Sequence, residues 1–207
     1  MPGFPLPLRN ALAALAIDAL EDDVAAEALR WVERGTGTPQ AGAAVLLAAH
    51  HLVDPDGDAL LPVHAPHALA AAAHAARALA ARAAYAPQTS ARPVGRAVEQ
   101  AVALWNVGLF FEVHEVLEDV WQCTGGDERQ ALQGVIQIAV AFHHLAHGNV
   151  RGARKLLVEG RERLAAHARA LPSLDAAALL EASAYWETAL ASGSVPTEAP
   201  PGLALAR

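Results

Sequence analysis

A histidine and two glutamates within five residues, His114, Glu115 and Glu118, are the side chains of this chain best suited to chemistry. Imidazole and carboxylate ligate zinc, manganese and iron, and the same groups serve as general acids and bases. At about 100° per residue on a helix, His114 and Glu118 fall one turn apart on one side, while Glu115 points about 100° away. The pair expected to act together is therefore His114 with Glu118. A second row, Gln133, Gln137 and His144, falls within a narrow sector of the next helical stretch, with His143 and His147 at its edge. Solvent-facing rows more often use Lys, Glu or Arg, so neutral Gln and His point to a half-buried row facing another polar surface. If 109–147 folds as an antiparallel hairpin, the two rows meet in one His/Glu/Gln pocket, since buried polar groups need partners.

Two readings of that pocket stay open. In the first it binds a metal ion or small ligand: His114, Glu118 and His144 hold a divalent metal with a coordination position left open, and Glu115 is the candidate base of a metal-assisted hydrolysis. The His-Glu-x-x-His motif of metalloprotease helices is absent, because Glu118 stands where the second histidine would be. In the second, His114 and Glu118 are a hydrogen-bonded pair that steadies the hairpin. The protein is then a non-catalytic helical-hairpin module that self-associates or binds a protein partner. No reaction or substrate follows from either reading.

Arg151, Arg154 and Lys155 open another helix, where cations oppose the helix dipole at a cost of about 0.3–1 kcal/mol each. An anionic ligand near Gly148-Asn149 would compensate, with Arg151 and Arg154 as its contacts. Pairing with acidic side chains such as Glu115 or Asp119 would do the same. His50-His51, His64-x-x-His67 and His74 lack a carboxylate at ligand spacing, whereas a closed site needs about four ligands. No Gly-rich phosphate loop, nucleophile elbow or dinucleotide fingerprint is present.

The elements that position these residues are helices. Hydrophobic residues make up 54% of the 207, but much of that is alanine, the best helix former, and aromatics are only 5%. An all-α fold without a sheet is expected, a compact bundle of helical hairpins with an extra N-terminal helical region. Prolines and glycines divide the chain into helices at about 8–20, 23–34, 40–52, 66–85, 95–106, 109–123, 127–147, 150–169 and 175–191. The organisation expected is an alanine-rich lobe over 1–94, with its boundary at 87–94, a bundle over 95–191 and a disordered tail over 192–207. The turn-rich Asp54-Pro-Asp-Gly-Asp58 interrupts the lobe.

Within the bundle, Phe110, Val113, Leu117, Val120 and Trp121 form one core arc, and Glu112 and Asp119 face outward. Helix 127–147 is apolar nearly all round, so it is central or shared with a second subunit, and Asp127 is its expected N-cap. Gly108 and Gly148 each stand between two helices, a faint repeat of the kind from which helical-hairpin arrays are built, but two copies are too few for a solenoid.

A net charge of −7 argues against a protein that neutralises nucleic-acid phosphates. The single Cys123 excludes an internal disulfide or a CxxC zinc site, and a reducing cytosol is its natural compartment. The N-terminal stretch lacks a clustered positive charge and acidic residues follow at once, so no secretory signal is read. His74, Arg77 and Arg82 interrupt the alanine-rich run, so no membrane span is expected. Expected partners are a small ligand of unknown kind or a second copy of the chain, and the expected location is cytoplasmic.

At 105–157 the motifs resemble a known family. Trp105-Asn-Val-Gly-Leu-Phe-Phe-Glu-Val-His-Glu-Val-Leu-Glu-Asp-Val-Trp121, then Leu132-Gln-Gly-Val-Ile-Gln-Ile-Ala-Val-Ala141, then His144 and Gly148-Asn-Val-Arg-Gly-Ala153 are similar to the opening, middle and end of the family of domain of unknown function 309. The resemblance covers about a third of the chain and implies a small all-helical bundle with no established activity. Residues 1–94 lie outside it. His143 stands where the family pattern has an aromatic or aliphatic residue.

Overall fold

The computed structural model describes residues 4–54, 57–86 and 92–206. The fold is all-α. The described residues form α1 (Leu6–Asp18), α2 (Asp23–Arg34), α3 (Ala41–Ala49), α4 (Ala68–Ala84), α5 (Pro93–Trp105), α6 (Phe110–Gln122), α7 (Gly126–Ala146), α8 (Val150–His167) and α9 (Ala176–Ala191). Each expected helix is present, with ends displaced by a few residues. No helix among the described residues is long and apolar enough to cross a membrane.

The chain divides into two compact units, one ending at Tyr85 and the other starting at Ala86. Part of the boundary expected at 87–94 and part of the Asp54–Asp58 turn lie outside the described residues.

The first unit holds α1–α4. Asp22 caps α2, accepting from the amides of Val24 (2.6 Å) and Ala25 (3.1 Å), and Gly35 closes that helix at φ 75°. Leu8, Leu12, Leu15, Leu29, Trp31 and Leu47 are fully buried. Ala71, Ala75, Ala78 and Ala81 recur every three or four residues on α4 and are buried as well. A face of methyl groups brings α4 close to α2, against which it packs. Arg82 reaches from α4 to the carbonyls of Ala19 and Asp22, so its charge satisfies backbone acceptors where the chain turns from α1 into α2.

In the second unit α5 to α9 pack each on the next. Residue pairs 110/142 and 111/143 at one end and 121/129 at the other make α6 and α7 antiparallel. Pairs 127/167, 130/163 and 134/160 do the same for α7 and α8. Helix α7 is central, as its apolar circumference requires. Four aromatic rings close the core: Trp105 lies 5.3 Å from Phe110 and 5.8 Å from Phe142, and Phe142 lies 5.3 Å from Trp186, edge to face in each case. On α8, Arg161 reaches α9 through Glu187, the Ser183 hydroxyl and the Leu180 carbonyl.

Three expectations change. Glu112 is buried (2% exposed) rather than outward, because α6 packs against both α5 and α7 and its covered face widens past the apolar arc. Gly125, not Asp127, is the N-cap of α7; Asp127 sits in the first turn and faces His167 Nδ1 at 3.1 Å. The stretch from Ser192, whose composition suggests a disordered tail, returns to the bundle at Pro201–Ala206, where Leu203 is 4% exposed. Backbone hydrogen bonds hold it, and composition carries no sign of those.

Candidate functional site

The turn before α6 determines how the site is presented. Gly108 takes φ 75°, its amide donates to the Trp105 carbonyl (2.9 Å), and the Leu109 amide reaches back to Leu104 (3.0 Å). Such a left-handed closure ends α5 and lets α6 start at once. Phe110, Val113, Val116 and Leu117 then turn inward, and His114, Glu115 and Glu118 fall on the half-buried shoulder of the helix.

Both ring nitrogens of His114 face carboxylates. Nδ1 lies 2.9 Å from Glu115 Oε1, and Nε2 lies 3.1 Å from Glu118 Oε2. His114 and Glu118 are the i, i+4 neighbours that helical geometry predicts. Glu115 leaves its helix at a different angle, yet its flexible side chain folds back to the other ring nitrogen. Side-chain exposures of 26% for His114, 43% for Glu115 and 39% for Glu118 leave the group open to solvent and to ions. The Phe111 ring lies 6.0 Å from that of His114 and 5.7 Å from that of His143, which in turn lies 4.3 Å from His147. An aromatic ring thus separates the His/Glu group from the histidines at the end of α7.

One ligand atom from each of His114, Glu115 and Glu118 lies within 4.8 Å of the others, and among the described residues no other such group of three forms. His144 does not join it; its Nδ1 lies 3.4 Å from Asn149 Nδ2. Nor does Gln137, which turns to α8, where its Nε2 meets Glu159 Oε2 (3.4 Å) and its Oε1 accepts from Arg163 Nε (3.1 Å). Gln133 is half-buried. The two polar rows therefore diverge. Helix α7 has neighbours on two sides, and the sector holding Gln137 faces α8 rather than α6.

The other candidates are placed as follows. Arg151 and Arg154 are exposed, and the first turn of α8 is capped from within, as Asn149 Oδ1 accepts from the Gly152 amide at 3.0 Å. Lys155 lies 3.8 Å from Glu159. In the first unit, His64 Nε2 is 3.0 Å from the carbonyl of His51, and the rings of His67 and His74 flank Phe4 at 6.3 and 5.9 Å. Those histidines gather around backbone and an aromatic ring, not around one another.

Three features escape sequence reasoning. Glu99 and Glu112 are buried on adjacent helices at 7% and 2% exposure, and nothing in their spacing marks them. The Arg129 guanidinium sits 3.7 Å above the Trp121 ring and also donates to the Trp121 carbonyl. Trp105 and Asn106 grip the C-terminal segment.

Comparison with known proteins places these helices. Residues 98–156, from within α5 into α8, match the family model described as Domain of unknown function (DUF309), so the resemblance read from the motifs holds and the stretch includes His114, Glu115 and Glu118. An "Uncharacterized protein" of Aquifex aeolicus (strain VF5) is 36% identical over 53 residues, covering 25% of this chain and 16% of its own length. "Uncharacterized protein YpuF" of Bacillus subtilis (strain 168) is 37% identical over 66 residues, 31% of this chain and 38% of its own. The chain therefore spans well under half the length of either relative. No solved structure matches.

Proposed function

We propose that the second unit is a divalent-cation-binding helical domain, with His114, Glu115 and Glu118 as its ligands. The convergence of two carboxylates on one imidazole, all three able to offer an atom within 4.8 Å, supports this reading. One nitrogen and two oxygen donors suit zinc, manganese or iron, and three protein ligands leave positions for water or a substrate oxygen. The acidic pair also supplies the charge that a dication needs. In this arrangement Glu115 is a ligand, and it gives up the role of base that the sequence suggested.

Metal analysis of protein purified without a histidine tag tests the reading. About one equivalent of metal per chain is expected, lost in His114→Ala and in Glu118→Gln while both variants keep their helical content. If the wild-type chain binds no zinc, manganese or iron in calorimetric titration, the cluster is a hydrogen-bonded pair and the reading fails.

A further inference from the structure

Helix α7 carries three glutamines, Gln130, Gln133 and Gln137, whose spacing puts them within a sector of about 60° on the side of α8. All three are half-buried. Antiparallel packing brings Arg163 of α8, itself half-buried, against two of them. Its Nε donates to Gln137 Oε1 at 3.1 Å, and its Nη1 donates to Gln130 Oε1. Both acceptors are neutral amides. These bonds engage two of the five N–H groups of a guanidinium, and the other three meet no acceptor among the described residues. Arg161, one turn away from any such arrangement, shows the usual alternative: it is paired with Glu187.

A carboxylate stands near Arg163 and is held off from it. Glu159 Oε2 faces Gln137 Nε2 at 3.4 Å, and Glu159 Oε1 lies 3.8 Å from Lys155 Nζ. Gln137 is therefore interposed, its amide nitrogen turned to the acid and its oxygen to the arginine. A charge drawn partly out of water calls for a counter-charge, and no ion pair supplies one to Arg163 among the described residues. The planar fork fits the two oxygens of a phosphate or carboxylate, and the glutamines already fix its orientation, so less side-chain freedom is lost on binding. Gln133, beside them, makes no hydrogen bond to a described residue and has an amide N–H to add. In the adjoining sector, toward α6, Ile136 and Val140 are half-buried and apolar.

We infer that Arg163, with Gln130 and Gln137 to orient it and Gln133 as a further donor, binds the oxyanion head group of a small molecule whose apolar body lies along Ile136 and Val140. Phosphate esters and carboxylates share that head-group chemistry. A polyanion such as a nucleic-acid backbone fits poorly, because it is read by a row of cations and here one guanidinium stands among neutral amides. The site needs no metal ion at His114, Glu115 and Glu118, so it stands whether or not that cluster binds one.

Calorimetric titration of the full chain, freed of metal on a chelating resin, tests this with inorganic phosphate, phenyl phosphate and benzoate. Saturable binding of phenyl phosphate or benzoate is expected, with a dissociation constant on the order of millimolar or below, and the tighter of the two identifies the head group. Phenyl phosphate should bind at least about threefold more tightly than inorganic phosphate, through the apolar area it buries. Arg163→Met should weaken binding about tenfold or more, and Arg163→Lys, which keeps the charge and loses the fork, about fivefold. Gln133→Leu should weaken it about threefold, while His114→Ala leaves it unchanged. Should Arg163→Met lose helical content, Arg163→Lys and Gln133→Leu carry the comparison. Absence of saturable binding by every probe overturns the inference, as does wild-type affinity in Arg163→Lys, which would reduce the site to a bare charge. Equal affinity for phosphate and phenyl phosphate would remove the apolar body from it, and loss of binding in His114→Ala would move the site to the cluster on α6.

Discussion

Gly134 of α7 and Gly160 of α8 meet backbone to backbone: a Cβ on Gly160 would lie 2.8 Å from the Gly134 carbonyl oxygen, and one on Gly134 would lie 2.9 Å from the Gly160 oxygen and 2.7 Å from the Leu164 amide. Two helices this close leave no room for a methyl group, and main-chain atoms cannot step aside as side chains do. The crossing carries much of the second unit, since α7 and α8 share its most extensive helix pairing. Gly160→Ala and Gly134→Ala are each expected to cost about 1–3 kcal/mol, the usual range for overpacking, despite alanine's better helix propensity. Thermal unfolding followed by circular dichroism measures it, and a rise in Tm for either variant would contradict the crossing.

Added metal should stabilise the folded chain. A ligand at about one hundred times its dissociation constant adds about 2.7 kcal/mol. Zinc or manganese is therefore expected to raise the Tm of the wild-type protein and to leave His114→Ala unmoved. Without metal the two should unfold within about 1 kcal/mol of each other, because half-exposed polar contacts of this kind contribute little. An equal rise in both proteins would show that the metal binds elsewhere.

Arg161 joins α8 to α9 through Glu187, Ser183 and the Leu180 carbonyl. Its side chain is 16% exposed, so Arg161→Met takes a charged donor from the buried Ser183 hydroxyl and the half-buried Leu180 carbonyl and is expected to cost about 1–3 kcal/mol. Arg151, exposed and without an ion pair among the described residues, provides the comparison: Arg151→Met should stay within about 0.5 kcal/mol of wild type. Urea midpoints at unchanged m-value separate the two, and similar midpoints would count against the Arg161 clamp.

Asn106 accepts the Leu203 amide proton, which should exchange slowly with solvent. Asn106→Ala is expected to speed that exchange and to open the 201–206 stretch to protease, with the α6–α8 amides unchanged. Hydrogen exchange read by mass spectrometry distinguishes this from global destabilisation, in which all amides would speed up together.

Much of the helical fold is legible in the order and type of the residues. Alanine content argues against a sheet, and Gly35, Gly108 and Gly148 mark helix ends that the backbone confirms with φ of 75°, 75° and 76°. The pairing of His114 with Glu118 is also legible, because a spacing of four is a geometric property of a single helix. The place of Glu115 is not, since its approach to Nδ1 depends on a rotamer that the helical wheel does not contain.

The amino-acid sequence by itself determined the helices, their order and the acidic shoulder on α6, because propensity, glycine turns and 3.6-residue periodicity act over a few residues. Only the tertiary structure decided which way α7 turns its polar row. A helix apolar on every side has no single seam, so the choice between facing α6 and facing α8 rests with packing at Gly134 and Gly160, and it sent Gln137 to Glu159 and Arg163. The return of the C-terminal segment belongs with that decision, since its energy lies in backbone bonds to Trp105 and Asn106, about ninety-six residues away in the chain and adjacent only once the bundle has formed.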